Sequence, residues 1–281
     1  MAKFQPIIKW SGSKRSQSDE ILKYFPKEID TYYEPFCGGA SILFSLLKNE
    51  NIKVNRYVIS DINEDLICLW RMIKNDPNTL KNTYRILWTK LKNKKTISEK
   101  KAYYENVRNT YNEDHEDPAY FLFLNRTCFN GLIRYNSNGD FNTSYHLNRD
   151  GIRPDKLDKI IDEWSFLLNE KNVEIYLRDY SEIIPKEGDF IYLDPPYMDT
   201  KGMYLYNKFN QIDFFVFLNN LKCSYILSYN GISGNDNKIF DVPENVYDEH
   251  ILIKSGNSSF KRITESEKDA MVYESLYISK K

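Results

Sequence analysis

The chain has 281 residues, 41% hydrophobic and 15% aromatic, with 39 Lys+Arg against 40 Asp+Glu. That length supports one large domain or two modest ones, and 22 Tyr with 16 Phe exclude a disordered chain. No apolar run approaches the ~20 residues that span a bilayer, and the stretch MAKFQPIIKWSGSKR has no apolar segment flanked like a secretory signal, so none is expected. Cys37, Cys68, Cys128 and Cys223 form no CxxC pair, which argues against a zinc ribbon or disulfide framework; a cytoplasmic protein is expected.

In chain order, Thr31 to Phe36 reads as a strand ending in Cys37-Gly38-Gly39, and Ala40 to Lys48 as a helix. Arg56 to Ser60 is a second strand, ending at Asp61. From Asn63 to about Arg108 the pattern is helical and charged, and residues 118–126 form a helix that begins at Pro118. Residues 129–150, with the turn signal Ser137-Asn138-Gly139-Asp140, read as a loop or hairpin. After Pro154 come a helix over 155–168 and a strand from Val173 to Leu177, ending near Asp179. The strand Phe190 to Leu193 then ends at Asp194-Pro195-Pro196-Tyr197. A helix near 212–221, a strand from Tyr225 to Ser228 and two β-prone runs, 246–253 and 271–278, complete the chain.

This alternation predicts an α/β fold, a mostly parallel sheet with helices on both faces, interrupted by a mainly helical insertion. The insertion is basic: residues 66–149 hold 14 Lys+Arg against 8 acids, an excess of six that leaves the remainder at −7. Such a segment suits a polyanion, although a Lys run such as Lys90 to Lys95 equally fits a solvated helix face.

In open α/β sheets ligands bind beyond the carboxyl ends of strands, and three features lie there. The Gly38-Gly39 turn permits close backbone approach, though most such turns are only punctuation. Asp61 is placed to accept from both ribose hydroxyls of an adenosine cofactor, or simply to cap the next helix. With no GxGxxG to cradle a pyrophosphate, an adenosine cofactor without a diphosphate fits better, and S-adenosylmethionine is the common one. Asp194-Pro195-Pro196-Tyr197 is the most specific: a carboxylate and a fixed carbonyl accept both hydrogens of an exocyclic amine, and the Tyr stacks on its ring.

Together these residues resemble the adenine-specific DNA methyltransferases of the Dam type, over nearly the whole chain. Lys9-Trp10-Ser11-Gly12-Ser13-Lys14 resembles their KWxGxK, Glu34 to Gly39 their EPFxG, and Ser60-Asp61-Ile62-Asn63 their xDIN. Asn125 to Asn136 with Gly139-Asp140-Phe141-Asn142 resembles NRxxxNGLxRxN…GxFN. The resemblance implies a Rossmann-like methyltransferase sheet, with 1–63 plus 152–281 catalytic and 64–151 an inserted target-recognition domain. It implies S-adenosylmethionine held by Trp10, Lys14, Phe36, Gly38, Asp61, Ile62, Asp179, Tyr180 and Asp194. Catalysis would fall to Asp194, Pro195, Pro196 and Tyr197, without a metal. Double-stranded DNA would be met by Phe129, Asn130, Leu132, Arg134 and Asn136, with GATC as the target and a restriction endonuclease as a companion. No membrane and no obligate protein partner are expected. The family's Val-Pro after GxFN is here Thr143-Ser144.

The competing readings are an amino-group methyltransferase for cytosine, RNA or protein glutamine, a non-catalytic DNA-binding relative, and a nicotinamide dehydrogenase, which the missing GxGxxG disfavours. Cys37 reads as a small packed residue. His115, His146 and His250 show no ligand spacing, and His146 reads as a surface residue.

Overall fold

Short apolar runs bounded by turn residues fold as strands here, and the longer periodic runs fold as helices. The computed structural model describes residues 5–196, 209–233, 236–257 and 271–281. In chain order the elements are α1 Ser18–Ile21, β1 Glu28–Glu34, α2 Ser41–Leu47, β2 Lys53–Asp61, α3 Glu64–Asn75, α4 Pro77–Lys92, α5 Ile97–Asp114 and α6 Pro118–Thr127. There follow α7 Pro154–Glu170, β3 Glu174–Leu177, β4 Phe190–Leu193, α8 Gln211–Asn220, β5 Ser224–Ser233, β6 Asp236–Asn237, β7 Glu249–Asn257 and β8 Met271–Ser279. Packing groups the described residues into two units, one holding 5–12 and 61–177, the other 13–60, 178–196 and the rest beyond 208.

The second unit is built on a sheet of order β2-β1-β4-β5-β8-β7, with β6 against β5. β2, β1, β4 and β5 run parallel, whereas β8 is antiparallel to both β5 and β7. The whole of β4 is buried, which explains why its sequence FIYL is an unbroken apolar run rather than an alternating one. Its residues nevertheless split by parity. Phe25, just after α1, packs on Phe190 with ring centroids 4.5 Å apart and lies near Tyr192 and Tyr32. Ile191 and Leu193 join Tyr225, Leu227 and the α8 residues Phe214 and Leu218 in one buried cluster. Both faces of the sheet are therefore covered.

β5 runs well beyond the expected end at Ser228. Asn230-Gly231 has the look of a turn, but the strand continues through it with a register shift against β8. A Cβ at Gly231 would lie 2.5 Å from the Tyr273 carbonyl oxygen, so the close strand approach there requires glycine.

In the first unit, side chains start most helices. Asn63 accepts from Leu66 N–H at α3, Asp76 from Thr79 at α4, and Asp117 from Ala119 at α6. Thr96 and Glu99 form a reciprocal capping box at α5. α6 is buried along almost its whole length among α3, α4 and α5, and Trp70 of α3 meets Trp164 of α7 at 4.6 Å. The loop-or-hairpin segment is an irregular antiparallel hairpin, bridged at Cys128–Tyr145 and Tyr135–Phe141. No helix among the described residues is long and apolar enough to cross a membrane.

Candidate active site

β4 ends where its apolar run meets Asp194, and the two prolines that follow lack the N–H groups to continue a ladder. Lys14 is 1% exposed, and its Nζ donates to both carboxylate oxygens of Asp194, at 2.8 and 2.7 Å. The same ammonium lies 3.6 Å from Glu274 Oε2 on β8. Burial alone would push Lys14 down, but Asp194 and Glu274 outweigh it and hold the ammonium above the ordinary lysine range. Glu274 Oε1 accepts from Gln17 Nε2 and Ser255 Oγ, each at 3.2 Å. Burial raises the Glu274 carboxyl, Lys14 opposes this, and Asp194 adds to it.

Glu34 closes β1. It is buried, accepts from Tyr32 Oη at 2.7 Å, and its carboxyl is pushed up to about 8 by desolvation, with the Asp194 charge contributing. Beyond it the chain turns through Gly38 (φ 44°) and Ala40 (φ 48°), and Cys37 N–H bonds the Ser60 carbonyl at 3.1 Å. Cys37 is buried and packed, as its motif position implied. Phe36 stacks on Tyr180 with centroids 5.4 Å apart and planes 29° apart. Asp179 is engaged locally, accepting from Ser181 N–H and Oγ at the 3-10 turn that contains Tyr180. The sheet unit thus gathers Lys14, Asp194 and Glu274 into one cluster and Phe36 and Tyr180 into another.

Asp61 closes β2, and its Oδ1 accepts from Asn63 N–H at 3.0 Å. The cap of α3 is Asn63, so the helix-cap reading of Asp61 is corrected. Ile62 is exposed and Trp10 half-buried. The backbone at Lys9 is fixed by Asn125, whose amide both accepts from Lys9 N–H at 2.8 Å and donates to Lys9 O at 2.9 Å. Gly131 (φ 70°) lies so close that a Cβ there would sit 2.4 Å from the Lys9 side chain. Two motifs distant in sequence are therefore one piece of structure.

The hairpin holds the residues expected to meet DNA. Phe129 is 49% exposed and stacks on His146, which is half-buried rather than a simple surface residue. Asn130 is exposed in the left-handed region, with φ 55°, and Arg134 is exposed. Leu132 is partly buried, and its carbonyl accepts from Thr143 Oγ1 at 2.8 Å. Asn136 is folded into the turn, where Oδ1 accepts from the N–H groups of Asn138 and Asp140. Thr143 is buried, and that side-chain bond gives a partner to the polar group where the family carries Val; its own carbonyl accepts from Tyr104 Oη. Tyr135 Oη donates to Asp65 at 2.5 Å, with His115 Nδ1 3.2 Å from the same carboxylate. Tyr197 lies outside the described residues.

Part of the basic surplus is engaged within the fold. Lys92 and Lys100 both reach Asp150, as does Tyr145 Oη. Burial would raise the Asp150 carboxyl, but these partners hold it down to about 2. Lys81 and Arg85 of α4 pair with Asp162 and Asp158 of α7, and buried Arg126 donates to the Pro6 carbonyl. Asp65, Asp150, Gln17, Ser255 and Glu274 carry no motif, and no spacing in the sequence singles them out.

A carboxylate at the end of one central parallel strand, a glycine turn at the end of its neighbour and a helical unit that contains a basic stretch suit an amino-group methyltransferase working on a polyanion. The chain belongs to the D12 class N6 adenine-specific DNA methyltransferases, whose family model matches residues 10–271. It is similar to the type II methyltransferase M.MjaIII of Methanocaldococcus jannaschii, 34% identical over 229 residues and 75% of each chain. It is also similar to the type II methyltransferase M.CviBI of Paramecium bursaria Chlorella virus NC1A, 32% identical over 74% of each chain. The DNA adenine methylase of Escherichia coli K12 is 30% identical over 70% of this chain and 66% of that one. The protein is an enzyme that methylates the N6 amino group of adenine in DNA.

Proposed function

We propose that the methyl donor is S-adenosylmethionine and that Asp194 and the Pro195 carbonyl accept the two protons of the target amine. The observation that carries this reading is the position of the Asp194 carboxylate, with Pro195 next to it, at the carboxyl end of the buried central strand β4. The residues present fit such a donor. Phe36 on Tyr180 offers an aromatic surface for an adenine, and Gly38 permits close approach of the backbone. Asp194 and Glu274, against the one ammonium of Lys14, leave negative surroundings for a sulfonium. Bound there, S-adenosylmethionine would supply a methyl group already attached to a good leaving group.

What remains for the protein is placement and charge. The adenine amine is conjugated with its ring and is a poor nucleophile. Acceptors at both of its protons favour a pyramidal nitrogen with an available lone pair, and they stabilise the positive charge as the bond forms. The amine is out of reach inside a base stack, so the base leaves it, with Tyr197 stacking on the extruded ring. The helical unit supplies target recognition through Phe129, Asn130, Leu132 and Arg134, and GATC is the target. The protein would work in the cytoplasm, with a restriction endonuclease as companion. Labelled S-adenosylmethionine tests the scheme: transfer to a GATC duplex and none to permuted duplexes is expected. Equal labelling of both would overturn the target.

Two substitutions probe the parts. Asp61 is the strand-end acid proposed to hold the ribose. Asp61→Ala should weaken donor binding by at least about tenfold in calorimetry, since a charge-assisted hydrogen bond contributes roughly 1.5–3 kcal/mol. Unchanged affinity would remove Asp61 from the donor site. Arg134, exposed on the hairpin, has the planar fork that reads guanine, worth ~1–3 kcal/mol against a wrong base. Arg134→Ala should relax preference at one base pair, whereas loss of a phosphate contact weakens binding to every sequence alike. Equal weakening on cognate and non-cognate duplexes would make Arg134 a phosphate contact.

A further inference from the structure

Lys14 poses a difficulty for the proposed chemistry. A carboxylate that must accept hydrogen bonds from an amine is most effective when negative, yet an ammonium contacts both oxygens of Asp194. Bidentate contact with Lys14 occupies part of the acceptor capacity and offsets the charge that should stabilise the methylated nitrogen. The fold contains a counterweight. Glu274 reaches the same ammonium from β8, and Gln17 and Ser255 fix its other oxygen from two further segments. Gln17 and Ser255 also bond each other, so the Glu274 carboxylate is oriented from both sides.

We propose that Glu274 is a positioning residue for methyl transfer: it shares the Lys14 ammonium with Asp194, so that the triad keeps a net negative charge and Asp194 remains a strong acceptor. The charged groups facing Glu274 are Lys14 and Asp194. Its cross-strand neighbours, Asn230 on β5 and Ile253 on β7, are neutral, as are Gln17 and Ser255. Tyr192 lies near Lys14, and Glu34 and Tyr229 lie near Asp194. This inference rests on the reading of Asp194 as the amine acceptor.

Glu274→Gln keeps the shape and removes the charge. The expected result is a single-turnover rate, at saturating donor, lower by about tenfold at neutral to alkaline pH, with DNA affinity little changed. The gap should also narrow on acidification. In the wild type the Glu274 carboxyl, raised by burial, takes up a proton on acidification and its charge is lost anyway, so the two rates converge. Glu274→Asp, which keeps the charge but shortens the side chain, should retain more activity than Glu274→Gln. It also provides the test should the Gln variant fail to fold. A rate ratio independent of pH, or a Gln variant as active as the Asp variant, would overturn the proposal. Asp194→Ala assayed alongside separates the two ideas. If it is active, the acceptor reading fails; if it is inactive while Glu274→Gln behaves as wild type, only the role of Glu274 fails.

Discussion

Asp194→Ala is expected to lower methyl transfer at least ~10³-fold while leaving the protein folded. The loss follows from removing a preorganised acceptor at the point where positive charge develops. The fold should survive because Lys14 keeps a second carboxylate, Glu274, 3.6 Å away, and so is not left as a buried charge without a counter-ion. Single-turnover kinetics with labelled donor measure the first effect, and thermal melting with donor titration measures the second. Turnover at the wild-type rate would reject Asp194 as acceptor. A variant that neither melts cooperatively nor binds donor would show that Glu274 does not compensate.

Lys14→Met should have the opposite character, a large loss of stability. It removes the ammonium between two mostly buried carboxylates, and breaking such a pair typically costs about 3–5 kcal/mol. The pH dependence distinguishes charge from packing. Without Lys14 the Glu274 carboxyl, already raised by burial and by the Asp194 charge, loses the ammonium that opposes the rise, so its folded value lies further above that of the unfolded chain. The native state then binds more protons than the unfolded state, and stability falls as pH rises through that interval. The gap in melting temperature to the wild type should therefore be smallest near pH ~5 and widen towards pH ~8. A gap that does not change with pH would mean that Lys14 acts through its packed stem alone.

Features written into local chemistry were legible in the sequence, and features made by tertiary pairing were not. β4 was readable because a strand buried on both faces must be apolar throughout, and the acid and prolines after it end that run without ambiguity. The hairpin was readable from its Asn and Gly residues. β5 was read too short because Asn230-Gly231 has turn composition, whereas its actual cause is the nearby Tyr273 carbonyl, more than forty positions along the chain. Asp61 and Asn63 are both good caps two residues apart, and only the bond from Leu66 N–H shows that Asn63 is the one used. The Lys run looked uniform, yet Lys92 and Lys100 belong with Asp150, fifty or more residues away. Glu274 sits inside a β-prone run, where a lone acid reads as a solvent-facing residue until Lys14 is brought beside it.

The hairpin combines a tied foot with exposed side chains beside it. Its foot is tied by Thr143 to Leu132, by Tyr104 to Thr143, and by Asn125 to Gly131 and Lys9. The exposed side chains of Asn130 and Arg134 lie outside those ties. Substitution of Arg134 should therefore cost little stability, since surface changes away from anchoring contacts usually stay within about 0.5 kcal/mol, whereas Asn130 sits at φ 55°, where most other side chains are strained. Under the role proposed for Arg134, target preference and stability of the fold are separable: replacing that one side chain alters the former without a compensating change in the core.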